Sequence, residues 1–125
     1  MASLRIQTGW PSSNLSPNGR PNRWEKAKAL REAKNEGYVA TFAAKPVGFK
    51  FGPGPLKVTL HAFPPVRRDR DDDNLIAAAK AFRDGIAAAL GVNDKTFAVQ
   101  PVQWNECAKG GRLIFEVEGP SHEAA

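Results

Sequence analysis

Seven consecutive positions, Arg67 to Asp73, hold three arginines and four aspartates, and the chain turns apolar directly afterwards at Leu75. Carboxylates at that density can hold a hard cation, which prefers oxygen ligands. They can also cap a helix, because Asp and Asn are favoured N-caps and the helix dipole stabilises acids in the first turn. One aspartate meets the needs of a cap. Three in a row, Asp71 to Asp73, repel one another unless a cation lies close, and Arg67, Arg68 and Arg70 could supply it as readily as a metal. Both chemistries stay open on this stretch alone.

In an extended chain alternate side chains point the same way, about 6–7 Å apart along the backbone, so Asp71 and Asp73 can converge on one ion. On a helix the same pair would diverge. A metal site therefore requires the helix to begin at or after Asp73. Asp69 shares the parity of Asp71 and Asp73 and is a rival ligand. Lys80 lies seven residues beyond Asp73, on the same helical face as Asp73, Ala77 and Asp84, where it would reach a phosphate or neutralise the acids. Asp94 follows the same helix, and about 16 helical residues span roughly 24 Å. A site shared by Asp73 and Asp94 needs the chain after Gly91 to return toward the helix start. Taken singly, Lys80 is an ordinary exposed helix lysine and Asp94 an ordinary turn residue.

The elements that must position these groups are legible from periodicity. Leu4 and Ile6 alternate with polar residues as a short strand, and residues 9–22, dense in Pro, Ser, Asn and Gly, form a loop. From Arg23 to about Lys34 the pattern is helical, with Trp24, Ala27 and Leu30 recurring among basic residues. This helix ends at Gly37 or runs on through Tyr38, Thr41 and Phe42. Residues 46–55 are a second loop. "LKVTLHAF" (56–63) is a half-buried strand with His61 on its polar face, stopped by Pro64 and Pro65. Leu75, Ala79, Phe82, Ile86 and Leu90 step along a second helix that Gly91 ends. Residues 97–104, with Pro101 marking an edge or a bulge, and "RLIFEVE" (112–118) are closing strands, with "AKGG" (108–111) turning between them. Residues 119–125 are expected to be a flexible tail. The sum is a single α/β (α+β) domain: a small mixed sheet of about four strands packed with two main helices.

Composition narrows the classes. Apolar and charged fractions of 42% and 25% are those of a folded domain, and no apolar run approaches membrane-spanning length. A single cysteine, Cys107, excludes an internal disulfide, and no Cys/His cluster has zinc spacing. No Ser-His-Asp or Cys-His set competes with the carboxylates. The first residues lack the apolar stretch of a signal peptide, and a cytoplasmic protein is expected. The net charge of +5 resides in residues 1–45, with eight Lys/Arg against three Glu, whereas the remainder balances. A basic half carrying Trp10 and Trp24 suits a phosphate-rich partner, as it also suits a solvated basic helix.

Across nearly its whole length, in matching order, the chain resembles the RusA-like Holliday-junction resolvases, above all the phage-type members. The segments that carry the resemblance are "WPSSNLSPNGRPNRW" (10–24), "GPLKVTL" with "RRDRDDDNL", "KAFRDGIAAALGVND" (80–94) and the closing hairpin around "KGGRLIFEVE" (109–118). The resemblance implies a homodimeric, Mg²⁺-dependent endonuclease, with Mn²⁺ as a substitute, that resolves four-way DNA junctions by paired symmetric nicks. Such a protein would come from a phage or prophage and act in the cytoplasm of a bacterial host. Anchored on Asn74, Asp71 and Asp73 match the paired catalytic and metal-binding aspartates of Asp-x-Asp-Asn. Asp94 matches the third, and Asp72 takes the middle, non-essential place. Lys80 is the nearest match to the family lysine, which in some members lies one turn earlier, where this chain has Ala77. The resemblance also implies a fold in which Asp94 meets Asp71 and Asp73. Arg67, Arg68, Arg70, Lys109 and Arg112 are expected on the DNA-facing side. Two alternatives stand beside this expectation: a non-catalytic DNA-binding module of the same fold, and a metal-dependent nuclease acting on other branched or flap DNA.

Overall fold

Leu4, Ile6 and Thr8 alternate with exposed polar side chains, and strand β1 (Ala2–Gly9) buries these three. The computed structural model describes residues 1–17 and 19–122. Strand β2 (Leu56–Phe63) buries Leu56, Val58, Leu60 and Ala62, and the last strand, β5 (Arg112–Gly119), buries Leu113, Phe115 and Val117. The three stack into one layer because β5 lies between β1 and β2, antiparallel to both. Phe115 is the Cα partner of Ile6 on one side and of Leu60 on the other, so the most apolar positions fall in one row.

The expected strand over residues 97–104 is two strands, β3 (Phe97–Val99) and β4 (Gln103–Trp104), both parallel to β2 on the edge that β5 leaves open. Pro101 has no N–H for the ladder, and the chain breaks there. The ladder continues on either side through Gln100 N to Val58 O (2.9 Å) and Asn105 N to Ala62 O (2.8 Å). The "AKGG" turn does not close a hairpin. Gly110 and Gly111, both at positive φ, carry the chain across to the far side of β2, where β5 pairs. The sheet is thus mixed and five-stranded, ordered β1-β5-β2-β3 with β4 also on β2.

Helix α1 (Arg23–Ala44) runs on past Gly37. Asn22 caps it by accepting from Glu25 N (2.8 Å), and the Glu25 carboxylate accepts from Asn22 N (3.3 Å) in return. The face it buries is not the expected Trp24–Ala27–Leu30 line but Ala29, Ala33, Gly37 and Thr41, while Trp24 and Leu30 are exposed. Close crossing with the third helix gives the reason. A Cβ on Gly37 would run into the backbone of Phe82, and one on Gly85 into Lys34 O and Tyr38 N. Only small residues fit along such a line, so the large ones turn outward.

The expected second helix is two helices, α2 (Asp72–Ala78) and α3 (Lys80–Leu90), broken at Ala79. Their apolar line holds across the break, with Leu75, Ala79, Phe82 and Ile86 buried against the sheet. Gly91, at φ 69°, ends α3 as the sequence indicates. Among the described residues no helix is long and apolar enough to cross a membrane. Of the expected tail, Gly119 closes β5 and Ser121 bridges to Phe51, whereas residues 123–125 lie outside the described residues.

Candidate functional site

Strand β2 delivers the chain to the acidic stretch. Beyond Phe63 the two prolines stop the ladder, residues 66–71 run without regular structure, and α2 opens at Asp72. The helix therefore begins one residue earlier than the extended-pair geometry requires. Asp71 remains extended (φ −103°, ψ 127°) as the N-cap, and its Oδ1 accepts from Asp73 N at 2.8 Å. Asp71 and Asp73 share the first turn of α2, and both are exposed. Acidic side chains at a helix start interact favourably with its dipole and its free N–H groups, so this pair has a structural role there without a metal.

Asp72 has a separate task. Its Oδ2 accepts from Val102 N (3.1 Å) and its Oδ1 from Trp104 Nε1 (2.7 Å), which ties the start of α2 to β4. No local signal in the sequence announces that link, because its partners lie 30 and 32 residues away.

The break at Ala79 and the turn after Gly91 alter where Asp94 falls. It opens a short 3-10 turn (Asp94–Thr96), held by Asn93, whose Oδ1 accepts from Lys95 N. The chain has doubled back, since Lys80 Nζ lies 3.7 Å from Asp94 Oδ2 and 3.1 Å from Asp84 Oδ1. The turn after Gly91 thus brings the Asp94 carboxylate to the ammonium of Lys80, the residue that opens α3. Lys80 is engaged by both carboxylates. Among the described residues no three His, Cys, Asp or Glu side chains are grouped so as to hold a metal ion. The donors Asp71, Asp73 and Asp94 are the hard oxygens a Mg²⁺ ion prefers. Asp71 and Asp73 share one helix start, whereas Asp94 is paired with Lys80.

Arg83 escaped notice in the sequence. Its Nη1 donates to Ile76 O at 2.7 Å, a carbonyl in the last turn of α2, where helix ends need outside donors. Burial lowers the pKa of its guanidinium, and the carboxylates of Asp84 and Asp94 oppose that shift. Arg83 thus braces the α2–α3 joint beside the Lys80–Asp94 contact.

The expected DNA-facing residues gather at one end of the sheet. In register, Gly9 of β1 pairs with Arg112 of β5, which pairs with Phe63 of β2. The Arg112 guanidinium stacks on the Phe63 ring (4.6 Å to its centroid). Arg67, Arg68 and Arg70 follow Phe63 and line a cavity of about 770 Å³ with Trp104 and Cys107. Lys109 is exposed in the turn before β5. His61, by contrast, lies mid-strand, with its Nε2 3.3 Å from Glu116 Oε1. Arg67, Arg68, Arg70 and Asp71 thus follow the C-terminal end of β2.

Fold and site define a small α+β protein with an acidic helix start and an arginine-rich loop at the ends of parallel strands. No family model matches the chain. It is similar to an uncharacterized protein of Xylella fastidiosa strain Temecula1, 34% identical over 126 aligned positions that span 100% of this chain and 81% of the relative. The chain belongs to that protein's family.

Proposed function

We propose that the protein is a Mg²⁺-dependent, structure-specific endodeoxyribonuclease of the RusA-like kind, which resolves four-way DNA junctions by paired symmetric nicks. The observation that supports this most is the fold-back of the chain: Lys80 Nζ, 3.7 Å from Asp94 Oδ2, belongs to the helix that follows α2, whose N-cap is Asp71 and whose first turn holds Asp73. Asp71, Asp73 and Asp94 would hold the metal, whose chemistry is to activate water and to stabilise charge on the phosphate and leaving oxygen. Asp71 offers its second oxygen, the first being bonded to Asp73 N. Lys80, released from Asp94, would turn to the scissile phosphate, and Arg67, Arg68, Arg70 and Arg112 would hold the flanking phosphates. A homodimer, in the cytoplasm of a bacterial host, matches a junction of approximate two-fold symmetry, one subunit to each nicked strand.

A synthetic four-way junction with Mg²⁺ or Mn²⁺ tests this directly. Wild-type protein should nick it symmetrically, and Asp73→Asn should abolish nicking while junction binding persists. Wild-type protein that nicks no branched DNA with either ion overturns the enzyme. Faster cutting of flaps than of junctions would reassign the substrate. A second reading, a non-catalytic DNA-binding module, draws on the work two acids already do: Asp71 caps α2 and Asp72 anchors it to β4.

A further inference from the structure

Trp10 and Trp104 lie far apart in sequence and wall the same hollow. Strand β1 runs in the direction of β2, because both are antiparallel to β5. Trp10, one residue past β1, and Trp104, the Cα partner of Ala62 near the end of β2, therefore emerge at one end of the sheet. Both line a cavity of about 840 Å³ with Arg68, Arg70, Asp71 and Asn74. Asp69 also borders it, so two carboxylates and two arginines share its lining.

Each indole is held. Asp72 fixes the Trp104 N–H at 2.7 Å, and 36% of that residue's surface stays open. The Arg70 guanidinium lies over the Trp10 ring, 5.1 Å from its centroid, and donates from Nη2 to Val66 O (3.2 Å). Its Nε is buried with no hydrogen-bond partner among the described residues, a donor that needs an acceptor. Arg68, Asp69, Arg70 and Trp104 also border the neighbouring cavity, where Arg67 and Cys107 complete the wall. Flat aromatic faces beside guanidinium donors bind a nucleotide without regard to its base, through stacking and phosphate contacts. A paired base inside a duplex cannot present its face. The volume lies within the usual range for a small organic ligand.

We infer that this cleft receives an unpaired nucleotide of the bound DNA, its base on the Trp104 indole opposite the Trp10–Arg70 stack and its phosphate on Arg68 and Arg70. The inference rests on the DNA-binding part of the function proposed above and is independent of catalysis.

Equilibrium binding by the full chain in EDTA, so that nothing is cut, tests it with two four-way junctions, one fully paired and one with two unpaired thymines at the crossover. Wild-type protein should bind the second roughly five- to tenfold more tightly, near the lower range for stacking on an aromatic ring. Trp104→Leu and Trp10→Leu should erase that preference and leave the paired junction bound as before, whereas Trp104→Phe should keep it. Should Trp104→Leu fail to fold, indole fluorescence decides, with Trp10→Leu measured beside the wild-type protein. Oligothymidylate should quench the wild-type emission more than duplex of equal length does, and Trp10→Leu should lose that difference. Equal affinity for both junctions, or variants that weaken both alike, overturns the inference while junction binding by the wild-type protein still stands. Failure to bind any DNA at low salt removes the function proposed above and this inference together.

Discussion

Asp72 makes the most specific bonds of the acidic run, although the family resemblance gives it no catalytic part. Two donors from the β4 region end on its carboxylate, one of them the indole N–H of Trp104. Replacing it by Ala leaves Val102 N, half-hidden beneath the helix start, without its acceptor. Asp72→Ala should therefore lower unfolding stability by about 1–3 kcal/mol in urea titration, and Asp72→Asn, which keeps an acceptor oxygen, by less. Lys80 predicts the opposite balance. It is 60% exposed and paired to Asp84 and Asp94, so Lys80→Gln should change stability by less than about 1 kcal/mol. Nicking of junction DNA by the same variant should fall at least tenfold if its ammonium acts on the phosphate. An active Lys80→Gln would confine the lysine to holding Asp94.

At the scale of elements, the crossing of α1 and α3 decides where the site residues stand. Lys80 and Arg83 belong to α3, and α3 is seated by the contact of Gly85 with the Lys34–Tyr38 backbone. A methyl there meets backbone rather than a movable side chain, so Gly85→Ala should cost more than about 2 kcal/mol, read as a loss of midpoint in urea. Loss of nicking in a Gly85→Ala protein that still folds would show that the helix seat carries the Lys80–Asp94 geometry. The break at Ala79 belongs to this scale too. With Arg83 capping Ile76 O, the joint directs α2 toward β4 and α3 toward α1.

For the molecule as a whole, charge and topology act together. The +5 excess lies in residues 1–45, yet the arginines assigned to DNA come from the neutral remainder. Direction matters here more than net charge, since one end of the sheet collects Arg67, Arg68, Arg70 and Arg112. Arg67→Ala and Arg112→Ala should each weaken junction binding across sequences and reduce the slope of log K against log salt by about one. Lys57, near the other end of β2 and roughly 20 Å from Phe63, should change neither. An unchanged slope for Arg112→Ala would leave its guanidinium simply stacked on Phe63.

What the amino-acid sequence determined by itself is local. Alternation marked β1, β2 and β5; the Leu75–Ile86 line and Gly91 marked the buried face and the end of the second helical stretch; the acids between Pro65 and Leu75 marked a helix start. Each of these follows from neighbours a few residues apart, through pleat, helical period and capping. Only the tertiary structure decided that α1 buries Ala29, Ala33, Gly37 and Thr41 instead of Trp24 and Leu30, because the choice depends on how closely α3 approaches. The same holds for β5 entering between β1 and β2, for Asp72 reaching β4, and for Asp94 returning to Lys80. These join residues 14 to 117 positions apart, where no periodicity reaches and only packing of the assembled chain selects the partner.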